Sequence, residues 1–209
     1  LILFLFSNLL NVNAQTIGAG WFHSYSICSD GTVKSWGLNN NGQLGNGSTS
    51  GSNIPVSVNS LTGIIAVTGG SGHSIALKNN GTVWSWGHNI NGQLGNGTNT
   101  NSNIPVPVNS LTNIKAIAAG AYHSLALKND STVWAWGWNL AGELGNGTYI
   151  DPNLPVQITS LTGIIAIAAG ENHSLALKSD GTVWAWGGNT YGQLGDGSNT
   201  NSNVRVQVM

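Results

Sequence analysis

Apolar residues in this chain fall into short runs that return at a fixed spacing. IIAVTGG (64–70), IKAIAAG (114–120) and IIAIAAG (164–170) are continuous apolar runs closed by small residues. Runs of this length bounded by glycine predict strands buried on both faces. Each is followed by two segments that flank a turn: HSIALK (73–78) and TVWSWG (82–87) around Asn79–Gly81, with counterparts in the other units. Asn-Gly or Asp-Gly between β-runs predicts a tight hairpin. The turn pair is Asp30-Gly31, Asn80-Gly81, Asp130-Ser131 and Asp180-Gly181; Ser131 stands where a type I′ turn needs positive φ. A Gly/Asn-rich connection then leads to a Pro-Val segment at 55–58, 105–108 and 155–158. Proline in a strand belongs at a sheet edge, so this segment is the outermost strand.

The period is 50 residues, marked by His23, His73, His123 and His173 and by Trp36, Trp86, Trp136 and Trp186. Self-similarity at this spacing predicts a propeller or solenoid, and four strands per unit make a propeller blade. A two-residue turn at 80–81 pairs Leu77 with Trp84 and Ile75 with Trp86 on one face, leaving Ser74, Ala76, Val83 and Ser85 on the other. The expectation is that the bulky face of one blade rests on the small face of the next. Lys34 replaces the first tryptophan of the pair in the first unit, as expected of an atypical end repeat.

Composition narrows the function. Only 6% of the residues are charged and the net charge is −1. Nucleic acid as a partner is not expected, because phosphate neutralisation needs clustered Lys and Arg; nor is an electrostatic membrane anchor. Nine tryptophans are enough for a packed core. The single cysteine, Cys28, allows no disulfide within the chain and no cysteine-based zinc site, and reads as a small buried apolar residue. LILFLFSNLL (1–10), followed by NVNAQ, has the apolar core and small residues of a secretory leader covering 1–15, with a cut near Ala14 or Gln15. The alternative is a first strand of the propeller. A leader places the protein outside the cell, secreted or on the cell surface, without membrane insertion after cleavage.

The recurring phrase GxxHSLALKxDGTVWAWGxNxxGQLGNGT resembles the repeat of the regulator-of-chromosome-condensation (RCC1) family, and does so in all four units. The resemblance implies an all-β, RCC1-like β-propeller over residues 16–209, with four ~50-residue blades in units of about 16–60, 61–110, 111–160 and 161–209. Family propellers usually have seven blades, so the four units read as part of a larger ring. In the other reading they close on themselves, the last unit lending a spare outer strand to the first.

Candidate chemistry is sparse. One histidine per blade places the four GxxHS histidines too far apart for a shared metal, so they read as scaffold. His88 breaks the period; the two-residue register sets it opposite His73, a pairing suited to metal or pH sensing but read as a surface accident. The serine after each histidine points to the opposite face. Asp30, Asp130 and Asp180 are consumed in turns, and GQLGNGT lacks the lysine and helix of a phosphate loop. No catalytic set, cofactor site or metal site is expected, and the chain is not read as an enzyme.

Function is therefore sought where the repeat fails to repeat: the two residues before each periodic histidine and those after each WG. Both slots lie at the blade end opposite the Asp/Asn-Gly turn. They gather Trp21, Phe22, Tyr122, Trp138 and Tyr191, with His88, Glu143, Glu171 and Asn172, on one rim. Exposed aromatics on one face predict a recognition surface. The candidate partner-binding residues are Trp21, Phe22, His88, Tyr122, Trp138, Glu171, Asn172 and Tyr191, and the expected ligand is another protein or a glycan. The alternative, implied by the resemblance, is guanine-nucleotide exchange on a small GTPase. Fold alone does not confer that activity.

Overall fold

The computed structural model describes residues 17–209; the expected leader over 1–15 lies outside them. Among the described residues sixteen strands form four antiparallel sheets, each built from four consecutive strands. The first blade holds β1 (Ile17–Ala19), β2 (His23–Ile27), β3 (Val33–Gly37) and β4 (Ser52–Ser57). The second holds β5 (Ile64–Gly69), β6 (His73–Lys78), β7 (Val83–Gly87) and β8 (Ser102–Pro107). The third holds β9 (Ile114–Ala119), β10 (His123–Lys128), β11 (Val133–Gly137) and β12 (Val156–Gln157). The fourth holds β13 (Ile164–Ala169), β14 (His173–Lys178), β15 (Val183–Gly187) and β16 (Ser202–Gln207). β16 pairs with β15 in its own sheet, so it is not a spare strand for the first unit. The outer strands carry the prolines at a sheet edge, where a missing N–H is tolerated; they begin earlier than the Pro-Val segments, at Ser52 and Ser102.

Neighbouring blades meet at their inner edges, β1 on β5, β5 on β9 and β9 on β13. This revises the sequence expectation for the apolar runs. As inner edge strands they are only partly covered, and Ile165 is 53% exposed. The strand buried on both faces is the second of each blade, β6 and β10 in the middle of the arc.

The hairpin register also differs. Gly81 N–H donates to Lys78 O and Lys78 N–H to Thr82 O, both 2.9 Å, so the loop has three residues, Asn79–Gly81. Gly81 takes φ +77°, as in the three-residue loop that ends in a left-handed residue. Asn80 Oδ1 accepts from Thr82 N–H (3.1 Å) and Oγ1 (2.7 Å), and Asp30, Asp130 and Asp180 hold Thr32, Thr132 and Thr182 likewise. One extra loop residue flips the pairing by one: Ser74 faces Trp86, Ala76 faces Trp84, Ile75 faces Ser85 and Leu77 faces Val83. His73 faces Gly87 rather than His88. The indoles therefore share a face with serine and alanine, and the aliphatic side chains hold the other.

The blades interlock by these two faces. Ile75, Leu77 and Val83 pack on Ala126, Trp134 and Trp136 of the next blade. Leu125, Leu127 and Val133 pack on Ala176, Trp184 and Trp186, and Tyr25, Ile27 and Val33 pack on Ala76, Trp84 and Trp86. Trp86, Trp136 and Trp186 are fully buried, and an indole's burial contributes on the order of 4 kcal/mol. Small residues beneath each ring leave room for it. Gly45 and Gly95 do the same from the preceding blade: a Cβ on either, at φ +66° and +64°, would lie within 3 Å of the indole.

Candidate functional site

A polar clamp crosses each interface between blades. His73 Nε2 lies 3.0 Å from Ser124 Oγ in the next blade, and that hydroxyl donates to Gln93 O (3.0 Å). Trp136 Nε1 donates to the same carbonyl at 2.9 Å. His123, Ser174, Glu143 O and Trp186 repeat the arrangement at 2.8–3.0 Å; His23, Ser74, Gln43 O and Trp86 repeat it with a longer histidine contact of 3.3 Å. Because the serine proton goes to the carbonyl, the histidine of each clamp donates from Nε2. Burial depresses the imidazoles far below their usual range, to about 4 for His23 and about 3 for His73 and His123. Tyr25 stands in the first blade where the others have isoleucine or leucine, and its hydroxyl also meets Ser74; burial raises its pKa. His23, His73 and His123 are thus joined to serines of the following blade rather than of their own, and these pairs act as scaffold. Adjacency in sequence hides this bond, since its partners are 51 residues apart.

The loops after each WG are held equally firmly. Asn39, Asn89, Asn139 and Asn189 are buried. Asn89 Oδ1 accepts from Leu94 N–H (2.9 Å), while its Nδ2 donates to Thr98 O and Thr100 O (3.0 Å each). Gln43, Gln93 and Gln193 accept the N–H of the residue two before them, at 2.8–2.9 Å. Glu143 takes the same place and accepts from Ala141 N–H at 2.9 Å.

On this scaffold the variable slots lie at one end of the blades. Leu38, His88, Trp138 and Gly188 each donate their N–H to the residue just before a periodic histidine, Phe22, Gly72, Tyr122 and Asn172. Main-chain bonds join the slots of adjacent blades: Trp21 N–H to Gly70 O, Ser71 N–H to Ala121 O and Ala121 N–H to Glu171 O. The aromatic contacts make two groups. Trp21 and Phe22 stack edge-on at 6.4 Å. His88, Tyr122 and Trp138 form a chain across the second and third blades, with centroids 6.0 and 6.3 Å apart. Tyr191, on the fourth blade, is 88% exposed. His88 Nδ1 accepts from Gln93 Nε2 at 2.8 Å, and partial burial lowers its pKa.

A cavity of about 760 Å³ lies between the third and fourth blades, where Trp138, Glu171, Asn172 and Tyr191 meet. Gly188 lines it, in the slot that leucine, histidine or tryptophan fills elsewhere. Glu143 also lines it but is buried, 1% exposed, and its Oε1 has no hydrogen-bond partner. Burial first, with like charge from Asp151 adding, pushes its carboxyl up to about 7. Sequence reading placed Glu143 on the rim surface and passed over Leu38, Ile90 and Leu140, three exposed apolar side chains in the same variable slots. The signal for Glu143 was available: it is the one acid in a column of glutamines.

Four four-stranded sheets, interlocked through their faces and presenting variable loops at one end, define a repeat β-propeller. The regulator of chromosome condensation (RCC1) repeat matches residues 30–77, 80–127, 130–177 and 180–208, and a second profile of the same description matches 15–43, 64–93, 114–143 and 164–193. The chain belongs to the RCC1 repeat family. Similar solved structures include human WBSCR16 (26% identity, TM-score 0.81) and yeast RCC1 (Prp20) bound to Kap60 (24%, 0.82). A second structure of the yeast protein, Prp20p of Saccharomyces cerevisiae, is 23% identical with a TM-score of 0.82. Each alignment covers 92% of this chain but 53%, 48% and 50% of the respective relative. The chain spans about half the length of the relatives it matches.

Proposed function

We propose that this chain is a secreted or cell-surface β-propeller that holds a protein partner on its aromatic rim. The observation that carries the reading is a division of labour. Residues that repeat are consumed by the clamp and loop bonds, whereas the period-breaking aromatics occupy one end with their rings wholly or partly open to solvent. Partly exposed Trp and Tyr on a rigid support supply large contact area at low entropic cost, which favours protein recognition. One relative, yeast RCC1 (Prp20), was solved bound to Kap60 and is described with binding properties to Gsp1p and histones. Export rests on the apolar leader at the start of the sequence.

Capture of partners from the organism's surface and medium fractions tests the rim. A variant with Trp21, Phe22, Tyr122 and Trp138 changed to alanine should keep a cooperative unfolding transition and lose the captured protein. Undiminished capture would reject the rim. Acceleration of nucleotide release from a small GTPase would replace this reading with exchange activity. Detection of the protein only in the cytosolic fraction would remove the extracellular assignment.

A further inference from the structure

We propose that the cavity between the third and fourth blades is a subsite for a basic side chain, lysine or arginine, of a protein partner. The proposal rests on the rim-binding reading and narrows it to a chemistry. Glu143 carries the argument. Its neighbours in the repeat, Gln43, Gln93 and Gln193, are neutral amides. In the second blade both ends of Gln93 are used, Oε1 on Asn91 N–H and Nε2 on His88. In the third blade Trp138 replaces that histidine and Glu143 Oε1 is left buried without a donor, as Gln43 Nε2 is left without an acceptor in the first blade; what sets Glu143 apart is its charge. An unpaired carboxylate oxygen in such a place is costly, and the cost disappears when an N–H donor arrives.

The surroundings select a cation as that donor. Glu171 supplies a second carboxylate on an exposed part of the lining. Trp138 and Tyr191 supply aromatic walls, which attract ammonium and guanidinium groups. His173 also lines the cavity, and partial burial lowers its pKa, disfavouring a competing positive charge there. Asp151, which acts on Glu143 from beyond the lining, adds negative charge. No lysine or arginine lines the cavity. An anion would meet two carboxylates, and a neutral amide would gain no charge-assisted bond. Gly188 adds no side chain to the lining, whereas the equivalent slot holds leucine, histidine or tryptophan in the other blades.

The test is a titration of the full chain with N-acetyl-arginine amide at pH 8, read by the indole N–H resonance of Trp138, assigned by its loss in Trp138→Phe. N-acetyl-glutamine amide is the neutral control. A saturable shift with the arginine probe and none with the glutamine probe is expected. Glu143→Gln, which restores the residue of the other three blades and so keeps the fold, should weaken binding at least tenfold. Glu171→Gln should weaken it less, because Glu171 is solvated. Wild-type affinity should fall from pH 8 to pH 6 as Glu143 takes up a proton, and that dependence should vanish in Glu143→Gln. Equal shifts from both probes, or unchanged affinity in Glu143→Gln, would overturn the subsite. Failure here alongside loss of capture in the Trp21/Phe22/Tyr122/Trp138 variant leaves the rim standing. Arginine binding with undiminished capture by that variant rejects the rim and leaves the subsite.

Discussion

The indole Nε1 of Trp136 donates to the main-chain carbonyl of Gln93, 2.9 Å away in the preceding blade. The same carbonyl accepts Ser124 Oγ, which in turn meets His73 Nε2. One backbone oxygen thus ties four residues from two blades, and the tie sits inside the apolar contact between them. Trp136→Phe removes the bond but keeps most of the ring, and should cost about 1–3 kcal/mol. Trp136→Ala adds a cavity and should cost about 3–5 kcal/mol. Denaturant unfolding of both variants measures the difference.

Ser124 is the acceptor that lets a buried neutral imidazole keep its proton. Ser124→Ala leaves His73 Nε2–H and the Gln93 carbonyl each short of a bond, at a cost of about 1–3 kcal/mol. Ser124→Thr keeps the hydroxyl but adds a methyl group where the site is fully buried. A loss in alanine no larger than that of an exposed serine, such as Ser50→Ala, would show that the clamp contributes nothing.

Acid should unfold the protein through its histidines. His23, His73 and His123 have folded pKa values depressed to about 4, 3 and 3 from an unfolded 6.5. Between those values the unfolded chain binds more protons than the folded one. Their contribution is therefore complete above pH 6.5 and is lost as pH falls towards 4, by on the order of 1 kcal/mol per histidine per pH unit. Melting temperature should fall as pH is lowered from 6.5 to 4.5, where the three histidines outweigh the opposite contribution of Glu143, and a flat profile over that range would contradict the neutral buried imidazoles.

Glu143 works with the opposite sign. Its folded pKa is raised to about 7 from an ordinary 4.5, so the fold favours the protonated form and is penalised as pH rises through that window. Glu143→Gln should therefore stabilise the protein at pH 8, by on the order of 2 kcal/mol, with the gain shrinking towards zero below pH 4.5. Paired unfolding curves at pH 8 and pH 4.5 check both the size and the direction.

Ser131 takes φ +66° in the third hairpin loop, where Gly31, Gly81 and Gly181 sit at +75° to +87° in the others. A left-handed residue with a Cβ is strained. Its Oγ accepts one long contact from Lys115 Nζ, 3.5 Å and exposed, which is worth little. Ser131→Gly should raise stability by about 0.5–1 kcal/mol; a fall would mean that the contact outweighs the strain.

The order of strands, the four-blade division and the edge position of the proline strands follow from local pattern, because turn residues and strand periodicity act over a few positions. The variable slots and their common blade end were legible for the same reason: a slot that varies among otherwise identical units stands out in the sequence alone. What failed was register. A two-residue and a three-residue loop share the same Asp/Asn-Gly signature, and one residue decides which face each indole occupies. The Asn80–Thr82 bond and the fit of Trp86 over Ser74 and beside Gly45 resolve it, and these are contacts of the folded state. The clamp from His73 to Ser124 was invisible because its partners lie one full repeat apart and meet only when blades stack. Sequence periodicity, then, set the units and their variable loops, whereas the choice of buried face and the unpaired oxygen of Glu143 emerged from how each blade closes on the next.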